Sequence, residues 1–300
     1  MGNNFCPICG IESFVRVGRP KTNALTSKLV KKDYSIVQCN SCTAYFVDPQ
    51  IEFTFEEWKT LYENDYFGNQ TDWFIRKREK ELNERFLRLN QKSKNRIRTF
   101  LDVGCGEGNT LSKAQHYGWE AWGVDVADNR SKEAKDKNIQ FKRSTLVNAN
   151  FPADYFDCIY CDSVLEHVLN PVEYLKEIHR ILKKGGVVYI GVPNEESFFN
   201  DIKKIMFYFL QKKQIAAQLK PFDSPYHIVG FTKKSFTYTI KENKFKMLEF
   251  RNFGRKFEFL GFKPNTRGFW ISLVLLPVEF IGKLLSRDVY FDAILTKYNY

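Results

Sequence analysis

The feature that most constrains this chain is a glycine-rich stretch at residues 100–110, with the sequence Phe-Leu-Asp-Val-Gly-Cys-Gly-Glu-Gly-Asn-Thr. An acid, Asp102, lies inside a short apolar run, and glycines follow at positions 104, 106 and 108 before helix-compatible residues resume. This order predicts a strand, a tight loop and the start of a helix. Because glycine lacks a Cβ, the loop lets the backbone approach a ligand closely, and the helix start adds free N–H groups and a positive dipole end. The stretch therefore predicts a ligand-binding loop.

The spacing of these glycines separates the loop from two other glycine motifs. The glycines occupy alternate positions, whereas dinucleotide-binding loops follow the pattern G-x-G-x-x-G. No Lys-Ser or Lys-Thr pair follows, as it would in a loop that cradles nucleotide phosphates. Asp125, 21 residues beyond Gly104, ends a second apolar run, and an acid at such a strand end reaches the ribose hydroxyls of a nucleoside.

Segments of strand and helix character alternate from residue 99 onward, which is the pattern of a parallel sheet covered by helices on both faces. The first five predicted strands are residues 99–103, 120–126, 139–143, 156–160 and 187–192. Two later segments, 245–250 and 289–298, are predicted to pair as antiparallel strands. The sequence therefore predicts an α/β fold with a doubly wound, seven-stranded sheet whose last strand is antiparallel.

Five sequence features, in order and spacing, resemble the class I S-adenosylmethionine-dependent methyltransferases, which have a Rossmann-like fold. They are Asp102 with the glycine loop, Asp125, Phe156-Asp157-Cys158-Ile159, Leu165-Glu166-His167-Val168 and Leu182-Lys183-Lys184-Gly185-Gly186. The last of these is predicted to be a basic, glycine-containing helix C-cap. The resemblance covers about residues 99–250, and it implies S-adenosylmethionine as the cofactor.

The resemblance also implies which residues contact that cofactor. They are Asp102, Gly104, Cys105, Gly106, Asp125, Val126, Thr145, Leu146, Asp162 and Ser163. The glycine loop would pass under the methionine part, with Asp102 fixing the loop or the amino group, and Asp125 would hold the ribose. Thr145 and Leu146 would flank the adenine, and Asp162 with its neighbour would face the methionine end.

Residues 1–50 contain two Cys-x-x-Cys pairs, which predict a zinc-ribbon-like module. Cys6 and Cys9 form the first pair, and Cys39 and Cys42 form the second after 29 intervening residues. Two such turns can aim four thiolates at one tetrahedral zinc ion, and four thiolates leave no open position, so we expect a structural site. The chain opens without the charged-then-apolar pattern of a secretory signal, so we expect a cytoplasmic protein without disulfides.

Residues 51–98 are predicted to be helical and rich in aromatic side chains. The interpretation as a linker that packs on the next domain competes with a lid in which Tyr62, Tyr66 and Phe67 cover a ligand. Under the second interpretation Tyr66 joins the candidate catalytic residues.

Two histidines are the other candidates for chemistry. His167 follows Glu166 beyond the predicted fourth strand, and His227 lies in a loop predicted at the same edge of the sheet. Either imidazole can act as a general base near neutral pH, and either can equally be a packing residue. Methyl transfer requires alignment of donor and acceptor above all, and it needs a base only where the acceptor loses a proton.

Residues 99–300 are predicted to form the catalytic domain, with cap insertions near 195–230 and 262–287 that set acceptor specificity. Within the second insertion, residues 268–285 are predicted to form a core or lid helix, or a segment that lies on a membrane surface. This stretch is too interrupted to span a bilayer. Residues 199–300 carry 18 basic and 8 acidic residues, which favours an acidic partner or is an ordinary solvated surface.

Three functions agree with these observations. The first is methylation, at oxygen or nitrogen, of a small anionic acceptor such as a sugar or surface-glycan precursor, since the ribbon and catalytic domain together resemble bacterial sugar- and polysaccharide-pathway methyltransferases. The second is methylation of RNA or tRNA, with the ribbon and the basic surface holding phosphates. The third is a non-catalytic module that only binds S-adenosylmethionine.

Overall fold

A computed structural model describes residues 5–65, 72–136, 139–209, 219–223, 225–254 and 258–298. Its strands are β1 Phe14–Gly18, β2 Ser35–Cys39, β3 Tyr45–Asp48, β4 Thr99–Val103, β5 Glu120–Asp125, β6 Gln140–Arg143, β7 Phe156–Asp162, β8 Leu182–Pro193, β9 Val229–Gly230, β10 Phe245–Phe253 and β11 Tyr290–Lys297. Its helices are α1 Phe55–Asp65, α2 Asp72–Lys92, α3 Asn109–His116, α4 Lys132–Asp136, α5 Pro171–Ile181, α6 Phe198–Phe209, α7 Lys233–Glu242 and α8 Arg267–Leu284.

The larger sheet has seven strands in the order β10-β11-β8-β7-β4-β5-β6. The central strand β4 pairs parallel with β5 and with β7, so Phe100 lies between Ala121 and Cys158. β11 runs antiparallel to both of its neighbours, β8 and β10. The predicted α/β class, the seven strands and the antiparallel last strand are confirmed.

Side chains of β4 alternate between two hydrophobic clusters, one on each face of the sheet. Phe100 packs against Phe86 of α2 and Trp119, with ring centroids 5.4 and 5.8 Å apart. Its neighbour Leu101 belongs to the cluster on the other face, together with Ile178 of α5. Because both faces are covered, the ligand-accessible part of the sheet is its carboxyl edge.

One local prediction is wrong: the Lys-Lys-Gly-Gly segment does not cap α5. The helix ends at Ile181, and residues 182–186 already belong to β8. Leu182 is fully buried and pairs with Phe156, so burial of this side chain draws the chain directly into the sheet. Lys183 instead pairs with Asp157, with Nζ 3.0 Å from Oδ1.

A smaller sheet, β1-β2-β3-β9, joins the N-terminal segment to the rest of the chain. Its fourth strand comes from far along the sequence, since Tyr45 pairs with Gly230 and Phe46 with Val229. The hydroxyl oxygens of Thr43 and Thr232 lie 2.7 Å apart beside this pairing. The N-terminal sheet is therefore continuous with the segment that leads into α7.

Helix α2 is attached to the larger sheet by a buried ion pair. Arg88 donates from both terminal nitrogens to Asp292 of β11, at 3.2 and 2.8 Å, and from Nε to Glu249 at 2.8 Å. The side chain of Arg88 is 11% exposed and that of Asp292 is 3% exposed. Burial alone would lower the pKa of Arg88, but the hydrogen bonds and charges of its two acidic partners raise it.

We predict that Arg88→Met destabilises the fold by about 3 kcal/mol, because it leaves the Asp292 carboxylate buried without its counter-charge. Urea unfolding monitored by circular dichroism measures the change. Arg76→Met, on the exposed side of the same helix, is the control and should change the unfolding free energy by less than about 0.5 kcal/mol. Equal unfolding midpoints for the two variants would contradict the role of the ion pair.

Candidate functional site

A cleft of about 1320 Å³ lies between α2 and the carboxyl ends of β4 and β7. One wall is the glycine loop with the first turn of α3, and the other is the α2 face that carries Phe74, Lys77 and Arg85. Phe253, Glu258, Phe262 and Tyr290 close one end. The cleft thus occupies the edge of the sheet where parallel α/β folds bind ligands.

The glycine loop has the backbone geometry that its sequence predicts. Gly104, Gly106 and Gly108 have φ values of +71°, +48° and +80°, in the left-handed region that favours glycine. A Cβ on Gly104 would lie 2.5 Å from Cγ2 of Val164, a contact closer than side chains tolerate. The loop therefore requires glycine at 104 for both conformation and space.

Asp102 and Asp125 hold this loop from two sides. Asp102 is buried and accepts a hydrogen bond from the Thr110 hydroxyl, which ties the end of β4 to α3. Asp125 accepts from the backbone N–H of Gly106 at 2.9 Å and of Ala127 at 3.1 Å. Burial raises the pKa of both carboxyls, and that of Asp102 most strongly.

The ten predicted cofactor residues divide into two groups around the cleft. Those that line it are Asp102, Gly104, Cys105, Gly106, Asp162 and Ser163. Asp125, Val126, Thr145 and Leu146 lie outside its lining, on the side of β5 and β6. Asp125 is nevertheless connected to the cleft lining by one hydrogen bond, which it accepts from the backbone N–H of Gly106. Burial raises the pKa of the Cys105 thiol, so this cysteine is an unreactive part of the wall.

Arg85 is a site residue that the sequence analysis missed. Its Nη1 donates to Asp162 Oδ2 at 2.5 Å and to the Tyr160 hydroxyl at 2.7 Å, and its guanidinium lies 5.1 Å from the ring of Tyr189. Burial alone would lower the pKa of Arg85, but the charge of Asp162 and the hydrogen bond to the Tyr160 hydroxyl raise it well above its ordinary value. The helical spacing of α2 gives no sign of this role, because Arg85 is one of several basic residues there and Asp162 is 77 positions away.

The two candidate histidines lie together, beside Glu166 and outside the lining of the cleft. Glu166 and His167 are on a 3₁₀ turn after β7, and His227 is on the loop before β9. Each histidine Nε2 is 3.9 Å from Glu166 Oε1. Burial lowers the pKa of His167 to about 4 and raises that of Glu166 well above its ordinary value. The third candidate, Tyr66, lies outside the described residues.

The four N-terminal cysteines form one cluster at the base of the smaller sheet. Their Sγ atoms all lie within 4.8 Å of one another, and the pairs Cys6–Cys42 and Cys9–Cys39 are 3.5 Å apart. Burial raises the pKa of Cys9 to about 11, and the contact with Cys6 raises that of Cys42 further. The residues thus fit a thiolate metal site by donor set and by distance.

Helices α6 and α8 expose apolar side chains. Trp270, Val274 and Leu284 of α8 are 58%, 72% and 84% exposed, so α8 is not the core helix that was one alternative. Phe262, just before α8, lines the cleft. Within the described residues, every helix is too short or too polar to cross a membrane. Contact of residues 268–285 with a membrane surface stays a prediction.

Comparison with known proteins identifies the family. A family model described as a methyltransferase domain matches residues 74–249, which is more than half of the chain, and the chain belongs to this family. A crystallised S-adenosylmethionine-dependent methyltransferase from Archaeoglobus fulgidus shares the fold, with a TM-score of 0.51, 17% identity and coverage of 75% of this chain and 100% of that one. The chain is thus a methyltransferase domain with the fold of this S-adenosylmethionine-dependent enzyme.

Curated relatives match shorter segments. A ubiquinone biosynthesis O-methyltransferase of Nitrosomonas europaea is 29% identical over 104 residues, which are 32% of this chain and 44% of that protein. The enzyme of the same name from Acinetobacter baylyi is 23% identical over 181 residues, covering 57% of this chain and 70% of that one. An uncharacterized protein of Methanocaldococcus jannaschii is 29% identical over 149 residues, covering 47% and 67%. The chain therefore spans less than half of the Nitrosomonas relative.

We predict that Gly104→Ala weakens binding of S-adenosylhomocysteine at least about tenfold, which is about 1.4 kcal/mol. Gly118→Ala is the matched control, because Gly118 also has a positive φ, +74°, but a Cβ there meets nothing within 4 Å. Both variants carry the cost of an L residue in this conformation, about 1–2 kcal/mol, and only Gly104→Ala adds the collision with Val164. Isothermal titration calorimetry measures the affinities, and equal losses in both variants would contradict the prediction.

Proposed function

We propose that this enzyme methylates a hydroxyl group of a small acceptor that binds beside the cofactor in the cleft. The observation that carries the proposal is the size of the cleft, about 1320 Å³. Pockets for one drug-sized ligand measure about 300–1,000 Å³, so this cleft has room for the cofactor and a second small molecule. Oxygen as the methylated atom is supported by the relatives named O-methyltransferases, and nitrogen is the alternative.

When bound, S-adenosylmethionine supplies an electrophilic methyl group on a positively charged sulfonium. We propose that Gly104, Cys105 and Gly106 support its methionine part, with Asp102 below them. Asp125 has carboxylate lone pairs beyond those used by the two backbone amides, and these are proposed to accept from the ribose hydroxyls. The pairs Thr145–Leu146 and Asp162–Ser163 are proposed at the adenine and methionine ends.

In this proposal Arg85 acts as a positioning residue for Asp162. A carboxylate held by a fixed guanidinium keeps one orientation, and methyl transfer depends on alignment to within fractions of an ångström. The acceptor hydroxyl must also release its proton, and His167, His227 and Tyr66 remain the predicted bases. The positions of both histidines beside the cleft, and not in its lining, argue against direct contact with the acceptor.

Support for an anionic acceptor comes from the basic side chains of α2. Charged side chains in the cleft lining are the basic Lys77, Arg78, Arg85 and Lys113 and the acidic Glu79, Glu81, Asp102, Glu107, Glu133, Asp162 and Glu258. Among the described residues of the basic last third, Glu258 is the one charged side chain in this lining, so the described basic side chains there give no support to an anionic acceptor. The proposal of an anionic group on the acceptor rests on the three α2 cations, and that of a sugar rests on the sequence resemblance alone.

Transfer of a radiolabelled methyl group from S-adenosylmethionine into fractionated cell extract tests the function. We expect the label in the small-molecule fraction, and Arg85→Met should lower kcat/KM about 100-fold because Asp162 loses its fixed position. Arg76→Met is the control with unchanged rate. Label in the RNA fraction would favour the nucleic-acid alternative, and absence of label together with tight cofactor binding would favour a non-catalytic module.

We also propose that Cys6, Cys9, Cys39 and Cys42 bind a structural zinc ion. A tetrahedral zinc with Zn–S bonds of about 2.3 Å separates its sulfurs by about 3.8 Å, close to the 3.5 Å of the two sulfur pairs. The ion would hold the smaller sheet and, through the pairing of β3 with β9, the segment that carries His227.

We predict that Cys39→Ser removes this zinc and lowers amide hydrogen-exchange protection in residues 226–232 as well as in the N-terminal sheet. Loss of the ion frees β3, and β9 then has no partner strand on that side. Ser41→Ala, in the same turn but without a ligand atom, is the control. Protection in 226–232 that is unchanged in Cys39→Ser would show that the two segments are independent.

A further inference from the structure

We propose that Glu166, His167 and His227 form a second metal site, for a divalent transition-metal ion such as zinc. Their three ligand atoms lie within 4.8 Å of one another, and the residues come from two segments that are separated by 60 positions. A backbone hydrogen bond from Ile228 N–H to the Glu166 carbonyl, 2.8 Å long, holds the two segments together. The donor set of two imidazoles and one carboxylate is one that zinc accepts.

The first support for this site is the burial of the Glu166 carboxylate without a hydrogen-bond donor. Its side chain is 1% exposed, and neither carboxylate oxygen accepts a well-formed hydrogen bond from another described residue. A buried carboxylate without a partner is costly whether it is charged or protonated, since the protonated form still needs an acceptor for its O–H. Both histidine Nε2 atoms are 3.9 Å away, which is too far for that hydrogen bond.

The spacing of the three side chains fits an ion between them. Two ligand atoms that each lie about 2.0–2.1 Å from a tetrahedral zinc are separated by about 3.3 Å. The observed 3.9 Å requires only small side-chain rotations to reach this separation. An ion there would supply the positive charge that the Glu166 carboxylate lacks.

His167 is oriented as metal-binding histidines usually are. The His167 ring donates a hydrogen bond to the backbone of Tyr226, and Nε2 faces Glu166. Such a bond to a carbonyl fixes the tautomer of a metal-binding histidine. Tyr226 itself is fully buried, has φ +63°, and accepts a hydrogen bond on its hydroxyl from Asn23 of the N-terminal segment.

The proposed metal site of Glu166, His167 and His227 lies close to two cavities. Asp162 and Ser163, three to four residues before Glu166, line the large cleft. Ile228 and Val229, directly after His227, line a separate cavity of about 300 Å³. Three protein ligands leave at least one coordination position for water or another oxygen ligand. The site is therefore an open one, in contrast to the closed cysteine cluster.

Zinc content and X-ray absorption of the full chain, loaded with Zn²⁺ and desalted, test the proposal. We expect two zinc ions per chain and a mixed shell of sulfur and nitrogen or oxygen ligands. Glu166→Gln combined with His227→Gln should lower the content to one ion with sulfur ligands only. His179→Gln is the control for a histidine elsewhere, which packs on Phe245, and should retain two ions.

Wild-type protein that holds a single zinc with only sulfur ligands at excess Zn²⁺ would overturn the proposal. Two ions retained by the double variant would also overturn it. Thermal unfolding and S-adenosylhomocysteine binding verify that the variants fold. Should the double variant fail to fold, the nitrogen and oxygen shell of the wild-type spectrum decides alone. None of these readouts depends on methyl transfer.

Discussion

Carboxylates at the carboxyl ends of β4, β5 and β7, and on the turn that follows β7, are the constraint on which the rest of the site depends. Those of Asp102 and Glu166 are buried, and those of Asp125 and Asp162 are half-buried. A charge removed from water requires a partner, and the chain supplies a different one to each carboxylate. The Thr110 hydroxyl donates to Asp102, backbone amides donate to Asp125 at the end of β5, and Arg85 pairs with Asp162. Glu166 accepts no well-formed hydrogen bond from another described residue. This edge of the sheet therefore attracts positive charge, which a sulfonium cofactor carries.

The partners of these carboxylates come from parts of the chain outside the central sheet, and this explains the architecture around it. Helix α2 brings Arg85 to Asp162 and is itself attached through Arg88 and Asp292. The N-terminal sheet contributes β3, which pairs with β9 and fixes the loop that carries His227. The segments before residue 99 thus support the site mechanically, in addition to any contact that they make with a ligand.

Much of the fold follows from the local sequence, because the strands are short apolar runs and the glycine loop needs a backbone that only glycine adopts easily. Thr232 is the N-cap of α7 and accepts from Ser235 N–H at 3.0 Å, which is equally a matter of local chemistry. The prediction of a helix C-cap at residues 182–186 was wrong, because burial of Leu182 in the sheet outweighs the cap-like sequence of this segment.

The site is less predictable where it depends on contacts between distant residues. The ion pair of Arg85 with Asp162 spans 77 positions, and nothing local distinguishes Arg85 from the other basic residues of α2. The meeting of His167 with His227 depends on contacts between segments 60 positions apart, such as the 2.8 Å hydrogen bond from Ile228 N–H to the Glu166 carbonyl, and no local sequence pattern predicts them. Net charge by segment is also a weak predictor of the site, since the described basic side chains of residues 199–300 lie outside the cleft lining.

The central claim is that one cleft, between the glycine loop and α2, holds the cofactor with its methionine end at Asp162. A crystal structure of the enzyme with S-adenosylhomocysteine tests it most directly. The account predicts the methionine part on residues 104–106, the ribose at Asp125, and the sulfur facing open space along α2. Product bound with its ribose away from Asp125, or its sulfur turned away from α2, would contradict the account.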